Sequence, residues 1–287
     1  MALLRIANFG RSAGVSRDQI AYDLAASVHG SRKVTRAEIE AAVNKAFDLS
    51  ATNTPYTNVL TGMPRPCVDG AKLLNAIVQR GADFNEAELW EASPVRIDWP
   101  PELDAIEVLR RLYASDERLF IGGRCDTGSE HVVTLSEWIT RFERGMAIPE
   151  HIIPNPLTGK QGQTKDGKLS YRADSCVERF MFAVVEFDAM PREQQIHFWS
   201  GVKLPVVALL DSGGKSVHGW IRIDARNTDE WTCRVERTLF DILSGVGADG
   251  ACKNEARLSR MPGRFRSETK RWQRVLYFNP MGGPVIP

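Results

Sequence analysis

A continuous apolar run, Met181–Val185, is followed directly by Glu186, Phe187 and Asp188. Such an uninterrupted run is typical of a strand that is buried on both faces of a sheet. A strand places alternate side chains on the same face, so Glu186 and Asp188 are expected to point the same way. The run therefore predicts a covered sheet with two carboxylates, roughly 6–7 Å apart along the backbone, at the end of one strand.

Two flexible carboxylates at that spacing can jointly ligate a hard divalent ion. A like-charged pair beside an apolar run is costly unless a cation neutralises it. The alternative is a strand end that emerges into solvent, where acidic side chains cost little. Taken alone, the triplet favours this alternative over a metal site.

A glycine turn, Ser212–Gly214, leads into a second predicted strand. Ser216 and His218 share a face of that strand by period two, and Lys215 lies beside them. Small residues, a cation, a hydroxyl and an imidazole together suit a triphosphate. The alternative is an ordinary hairpin with a surface lysine. The spacing is not that of a Walker A loop.

A third segment supplies an acid, Asp249, just beyond a predicted helix, and then Arg257 and Arg260. The two arginines are candidates for contact with phosphates of a nucleotide or of a template. Glu255 and Asp241 are nearby alternatives for the acid. Asp249 is preferred because glycines flank it at an expected strand entrance, whereas Asp241 falls within a helix.

The C-terminal region is strongly basic although the formal net charge of the chain is only +1. Two acids, Glu255 and Glu268, stand in residues 253–274 against eight basic residues: Lys253, Arg257, Arg260, Arg264, Arg266, Lys270, Arg271 and Arg274. Aromatic residues are interleaved with or follow them: Phe265, Trp272, Tyr277 and Phe278. This mixture suits a groove for single-stranded nucleic acid. A solvated basic face and an ordinary core strand are the alternatives.

The chain is expected to contain a helical part, residues 1–95, and a mixed α/β part, residues 96–287. Capping boxes at Ser16 and Thr35 predict two N-terminal helices, and a Thr-, Asn- and Pro-rich stretch around 50–66 predicts a linker. Further helices are predicted at residues 68–80, 86–90, 103–113 and 191–199, and two more are predicted to begin at residues 134 and 227. Strands are predicted at residues 118–122, 181–185, 206–210 and 216–224. This order indicates an α+β fold with helices packed on one face of a sheet.

Bulk properties favour a soluble cytoplasmic protein. The 287 residues are 43% hydrophobic and 25% charged, with no membrane-spanning run and no signal-peptide pattern. Five scattered cysteines without a C-x-x-C pair argue against a zinc ribbon or a disulfide framework.

Three segments, taken in their order along the chain, resemble the three motifs of the archaeo-eukaryotic primase superfamily. They are Glu186-Phe-Asp188, Ser-Gly-Gly-Lys-Ser216-Val-His218, and Asp249 with Arg257-Leu-Ser-Arg260-Met-Pro-Gly. The bacterial, plasmid and phage primase-polymerases are the most similar members. The resemblance implies an RRM-like catalytic core over residues 96–287, beside an N-terminal helical accessory domain.

The resemblance also implies two-metal nucleotidyl transfer, in which primers are made or extended on single-stranded DNA from NTPs or dNTPs. Glu186, Asp188 and Asp249 would hold two Mg²⁺ or Mn²⁺ ions. Lys215, Ser216 and His218 would bind the β and γ phosphates, and Arg124, after its double glycine, is a weaker candidate for phosphate or template contact. Many members have Asp where this chain has Glu186, and either can bind these ions.

Two other functions remain open at this point. One is a single-stranded nucleic-acid-binding replication protein with weak catalysis, and the other is a gap-filling or end-joining polymerase on the same fold. The sequence does not separate NTP from dNTP use, or new priming from extension. The absence of a Walker A loop predicts that a separately encoded helicase works alongside the chain.

Overall fold

The computed structural model describes Leu3, Ala7 and residues 15–27, 34–48 and 69–286. The chain divides into two compact units, Met1–Cys67 and Val68–Pro287, which are described separately here. The predicted linker around residues 50–66 lies outside the described residues.

The first unit contains a pair of helices. These are α1 (Arg17–Ser27) and α2 (Arg36–Asp48). Their buried contacts come from Ile20, Leu24, Ile39 and Val43. The predicted capping box is present at Thr35, whose backbone N–H donates to Glu38 Oε2 at 2.9 Å while its Oγ1 accepts from the Glu38 N–H at 3.3 Å. The two predicted N-terminal helices are therefore confirmed.

The second unit is built on a four-stranded antiparallel sheet in the order β12-β7-β8-β6. Its strands are β6 (Phe180–Val185), β7 (Val206–Asp211), β8 (Val217–Ala225) and β12 (Val275–Gly283). The three predicted strands at 181–185, 206–210 and 216–224 are confirmed. A helix separates β6 from β7 and helical segments follow β8, so the element order is that of a split β-α-β arrangement.

Helices surround this sheet. They are α3 (Gly70–Arg80), α4 (Glu86–Glu91), α5 (Asp104–Leu112), α6 (Leu135–Glu143), α7 (Arg192–Gly201), α8 (Thr228–Trp231) and α9 (Phe240–Leu243), with a π-helical segment, Thr232–Leu239, between the last two. The helix prediction from residue 227 is correct in position, but its middle is π-helical. No described helix is long and apolar enough to cross a membrane.

A second, smaller sheet has the antiparallel order β2-β1-β3-β9. Its strands are β1 (Arg118–Gly122), β2 (Val132–Thr134), β3 (His151–Ile152) and β9 (Ser259–Arg260). Two hairpins complete the unit, one formed by β4 (Gly162–Gln163) with β5 (Leu169–Ser170), the other by β10 (Phe265–Arg266) with β11 (Arg271–Trp272).

The four-stranded sheet is buried on both faces, as the apolar run at its β6 strand predicts. Helix α7 and the helical segments after β8 cover one face, where Ala183 and Val185 of β6 lie. Helices α5 and α6 and the smaller sheet cover the other, where Phe182 and Val184 lie. The fold is therefore α+β, with helices on both faces rather than on one.

Residues 68–95 belong to the second unit, so the boundary predicted near Arg96 differs from the division found. Helix α3 packs closely on α7 through a glycine at the C-terminal end of each. A Cβ added at Gly81, the residue after α3, would lie 2.0 Å from the carbonyl oxygen of His197, and a Cβ added at Gly201 of α7 would lie 2.0 Å from the carbonyl oxygen of Ile77. Trp90 of α4 donates to the Val275 carbonyl at 3.2 Å. These contacts join α3 to α7 and α4 to β12.

Candidate active site

Glu186 follows the last residue of β6 and lies beside β8. Val185 pairs with Gly219 in the sheet register, which brings Glu186 next to His218. The His218 Nε2 lies 3.1 Å from Glu186 Oε2, and both side chains are largely buried. The adjacent Phe187 points into the core, where it packs on Phe198 and Trp199. The first and second sequence segments therefore meet in space.

Asp249 of the third segment also reaches Glu186. Its backbone N–H donates to the Glu186 carbonyl oxygen at 2.9 Å. Its Oδ1 caps the 3₁₀ turn Gly250–Lys253 by accepting from the Ala251 N–H at 2.9 Å. This leaves Oδ2 directed toward the Glu186 side chain and its neighbours.

The two alternative acids lie elsewhere. Glu255 is buried, and burial together with Asp174 and Glu236 raises the pKa of its carboxyl group. Neither Glu255 nor Asp241 lines the cleft described below. Of the three candidates, the structure thus brings only Asp249 to Glu186.

Cys252 completes a group that sequence reasoning missed. Its Sγ lies 3.4 Å from Glu186 Oε1 and 3.7 Å from Asp249 Oδ2. One ligand atom from each of the three residues lies within 4.8 Å of the others, a geometry that can hold a metal ion. Burial and the two carboxylates raise the pKa of the thiol. The available signal was its position three residues after Asp249, which a 3₁₀ turn places on the same side.

Arg257 contacts both acids. Its Nη2 forms ion pairs with Glu186 Oε1 and, at 3.1 Å, with Asp249 Oδ2. Burial raises the pKa of Glu186, but His218 and Arg257 outweigh that effect and hold it below its usual value. Arg257 was expected to contact phosphate, whereas the structure places it on the carboxylates.

Asp188 lines the same cleft as Glu186 but is exposed. It is not a member of the group of ligand atoms formed by Glu186, Asp249 and Cys252. The expectation that Glu186 and Asp188 point to one side agrees with this placement, since both face the cleft. Joint ligation of a metal ion by Glu186 and Asp188 stays a prediction.

His218 is held by residues on both sides. Its Nε2 lies 3.5 Å from Ser216 Oγ, and its Nδ1 lies 3.4 Å from Ser259 Oγ, which accepts from the Trp220 Nε1 at 2.8 Å. Burial lowers the pKa of His218 to about 4, although Glu186 opposes the shift. The imidazole is therefore neutral at pH 7.

The glycine turn has other partners than those expected. Its carbonyl oxygens accept from side chains of the β10–β11 hairpin: Arg266 to Ser212 at 3.2 Å, Thr269 to Gly213 at 2.6 Å and Arg271 to Gly214 at 3.5 Å. The Gly213 N–H donates to Asp211 Oδ1 at 2.8 Å. Lys215 is exposed and does not line the cleft. The turn thus anchors a hairpin, which argues against its predicted use as a phosphate cradle.

A cleft of about 960 Å³ joins these residues. Its cationic lining residues are Arg124, Lys168, Arg172, Arg257, Arg260 and Arg266, and its acidic ones are Glu150, Glu186, Asp188 and Asp249. Arg124 and Arg260 were expected from the sequence, whereas Arg172 was not, because it lies in a loop without a motif. The cleft combines clustered acids with an excess of cations, an arrangement suited to a phosphorylated substrate.

Comparison with known proteins gives no relative. No family model matches the chain. No curated protein and no solved structure matches it either.

Proposed function

We propose that the chain is a metal-dependent nucleotidyltransferase, a primase-polymerase that makes or extends primers on single-stranded DNA from NTPs or dNTPs. The observation that carries the proposal is the meeting of Glu186 and Asp249 in a basic cleft. These acids come from the first and third of the motifs that resemble the archaeo-eukaryotic primases, and His218 of the second contacts Glu186. An RRM-like core is part of this proposal.

The donor set fits Mg²⁺ or Mn²⁺. Carboxylate oxygens suit both ions. The raised pKa of Cys252 keeps its thiol protonated at neutral pH in the absence of metal, so it lies beside the carboxylates as a weak hydrogen-bond donor. Glu186 and Asp249 would hold the ions, with Asp188 as a further ligand from the cleft mouth. When bound, such ions activate the attacking 3′-hydroxyl and neutralise the triphosphate.

The protein's own side chains would position the reacting groups. Neutral His218 holds Glu186 in place without cancelling its charge. Arg257 pairs with both acids and offsets part of their charge, and its guanidinium would be free to move onto phosphate oxygens when cations take its place. The remaining arginines line the cleft in which a substrate would bind.

The β10–β11 hairpin offers a contact for a single strand. Phe265 is 45% exposed and packs edge-on against Trp272, with ring centroids 5.2 Å apart. Arg266, between them in the hairpin, lines the cleft. Bases stack on such exposed rings without sequence preference. Tyr277 and Phe278, grouped with these aromatics in the sequence prediction, are core residues of β12 and are buried.

One observation favours the alternative of a binding protein with weak catalysis. Arg257 already pairs with both acids and offsets part of their charge, so repulsion of a phosphate backbone is reduced without bound metal. This alternative predicts salt-sensitive binding of single strands and no nucleotide incorporation.

Incubation of the full chain with single-stranded DNA, labelled nucleotides and Mg²⁺ or Mn²⁺, with and without a primer, tests the proposal. We expect synthesis by the wild type and none by Glu186→Gln, whereas Asp229→Asn, an exposed acid outside the cleft, serves as the matched control. Synthesis by Glu186→Gln at the wild-type rate would contradict the proposal. A gapped substrate with a downstream 5′-phosphate tests the end-joining variant, and addition of a helicase tests that partner.

A further inference from the structure

Four basic side chains line the cleft together, three of them from the smaller sheet and its adjoining loop and one from the loop after β5. They are Arg124, His151, Arg172 and Arg260. In the sheet, Gly122 pairs with His151 and His151 pairs with Arg260. Arg124 follows β1 by two residues, and the Arg172 Nη2 donates to its carbonyl oxygen at 2.6 Å. We call this group the basic cluster.

The basic cluster lacks counter-ions among the described residues. None of its three guanidinium groups lies within 4.0 Å of a described carboxylate oxygen, in contrast to Arg257, which pairs with Glu186 and Asp249. The nearby Asp126 accepts from the Gly123 N–H at 2.7 Å, and Glu150 lies 3.8 Å from the His151 ring. The cluster therefore carries a positive field that nearby acids, among them Asp126, Glu150 and Glu186, offset only in part.

The pKa of His151 reflects its burial and this positive field. Burial lowers the pKa of its imidazole to about 4, and Arg260, His218, Arg124 and Arg172 all act in the same direction. Its side chain is 12% exposed, and its Nδ1 has no hydrogen-bond partner. A buried polar atom without a partner is costly, and in the neutral tautomer with its proton on Nδ1 the ring can donate a hydrogen bond to a phosphate oxygen.

The guanidinium group of Arg172 is also held in place before any ligand arrives. It lies over the Phe120 ring, 5.2 Å from its centroid, and is tied to the loop of Arg124. The strand register places the backbone of Arg260 beside that of His151. A planar guanidinium held in this way can form paired hydrogen bonds to phosphate oxygens.

We infer that the basic cluster is a polyphosphate subsite that takes the triphosphate of the incoming nucleotide, in place of Lys215 and the glycine turn. The nucleotide part of this inference rests on the proposed function. The convergence of these basic side chains favours a triphosphate over a nucleic-acid strand as the ligand. A triphosphate carries several negative charges on one short group, whereas a single strand carries one charge per nucleotide. The acids at the other side of the same cleft place metal ligands within reach of that group.

Calorimetric titration of the full chain with inorganic tripolyphosphate, without divalent ions, tests the inference directly. Arg124→Gln and Arg260→Gln are each expected to weaken binding about tenfold, the equivalent of about 1.4 kcal/mol. Arg237→Gln, an exposed arginine outside the cleft, is the matched control and should leave binding unchanged. Circular dichroism melts of each variant exclude loss of fold as the cause.

Two further titrations are needed. One compares a DNA oligonucleotide with tripolyphosphate as the ligand, and the other compares the cluster variants with Lys215→Gln. If the cluster variants lose affinity for a short DNA oligonucleotide but not for tripolyphosphate, the cluster is a template contact and the inference fails. It also fails if only Lys215→Gln weakens tripolyphosphate binding. Loss of tripolyphosphate binding in the cluster variants of a protein that never incorporates nucleotides would support the subsite and overturn the proposed function, so the two failures are distinguishable.

Discussion

The backbone N–H of Asp249 donates a 2.9 Å hydrogen bond to the carbonyl oxygen of Glu186, so the main chain itself joins the two carboxylate-bearing segments. A side-chain substitution at Asp249 therefore leaves this connection intact. Asp249→Asn is expected to retain the fold while losing metal-dependent synthesis at least about a hundredfold, because a ligated cation contributes several kcal/mol to transition-state charge stabilisation. Primer extension measures the loss, and thermal melting checks the fold.

Asp188→Asn separates two versions of the same site. Asp188 faces the cleft but stands outside the group formed by Glu186, Asp249 and Cys252. Under the proposed function it ligates from the cleft mouth, so its variant should lose synthesis to a similar extent as Asp249→Asn. Wild-type synthesis by Asp188→Asn would remove Asp188 from the ligand set, and it would leave Glu186 and Asp249 as the proposed carboxylate ligands among the described residues.

Arg257→Gln should make stability depend on divalent ions. Without the guanidinium, Glu186 and Asp249 repel one another in a partly buried site, and we expect a loss of about 2 kcal/mol in the free energy of unfolding. A cation that binds the two acids should restore part of this loss. Thermal melting with and without Mn²⁺ measures it, and the shift should be larger for Arg257→Gln than for the wild type. Equal or absent shifts in both proteins would argue against a metal site here.

Phe265→Ala tests the hairpin as a stacking surface. Loss of a base stack costs about 1–3 kcal/mol, so affinity for a single strand should fall between about fivefold and a hundredfold. Met281→Ala removes a side chain that is even more exposed, at 82%, and serves as the control. Fluorescence anisotropy of a labelled oligonucleotide measures both. An equal loss of affinity in the two variants would mean that removal of any exposed apolar side chain, rather than loss of base stacking, weakens binding.

The sequence predicts the long elements of the second unit well. The apolar run at β6 and the amphipathic helices carry their patterns locally, so their positions follow from periodicity. The strands β3 and β9 have two residues each, too few for any pattern, yet they position His151 and Arg260. Such short strands form because they pair with neighbouring strands of the sheet. The local sequence of β3 or β9 carries no information about that pairing.

The same limit applies to the site and to the domain boundary. Arg172 belongs to no motif, and only the folding of distant segments brings it to the cleft, just as folding brings Cys252 beside Glu186. The prolines at 94, 100 and 101 indicate a break near Arg96, but the glycine contacts of α3 with α7 keep residues 68–95 in the second unit. Long-range packing decides both features.

The stability of the second unit should fall as the pH is lowered from about 6.5 to 4. Burial lowers the pKa of His151 to about 4, below the usual value of about 6.5 that applies in the unfolded chain. In this window the unfolded state binds a proton that the folded state excludes, so acid favours unfolding. Between pH 7 and pH 5 this residue should account for a loss of about 2 kcal/mol.

His151→Gln removes this contribution, so the difference in unfolding free energy between pH 7 and pH 5 should be about 2 kcal/mol smaller in the variant than in the wild type. All seven tryptophans lie in residues 68–287, so urea unfolding followed by tryptophan fluorescence reports on the second unit alone. Asp104 acts in the opposite direction, since burial raises the pKa of its carboxyl to about 6 and its effect is the same in both proteins. Comparison of the two proteins at each pH therefore cancels Asp104 and isolates His151. Parallel pH profiles for the two would show that His151 is not held neutral by its surroundings.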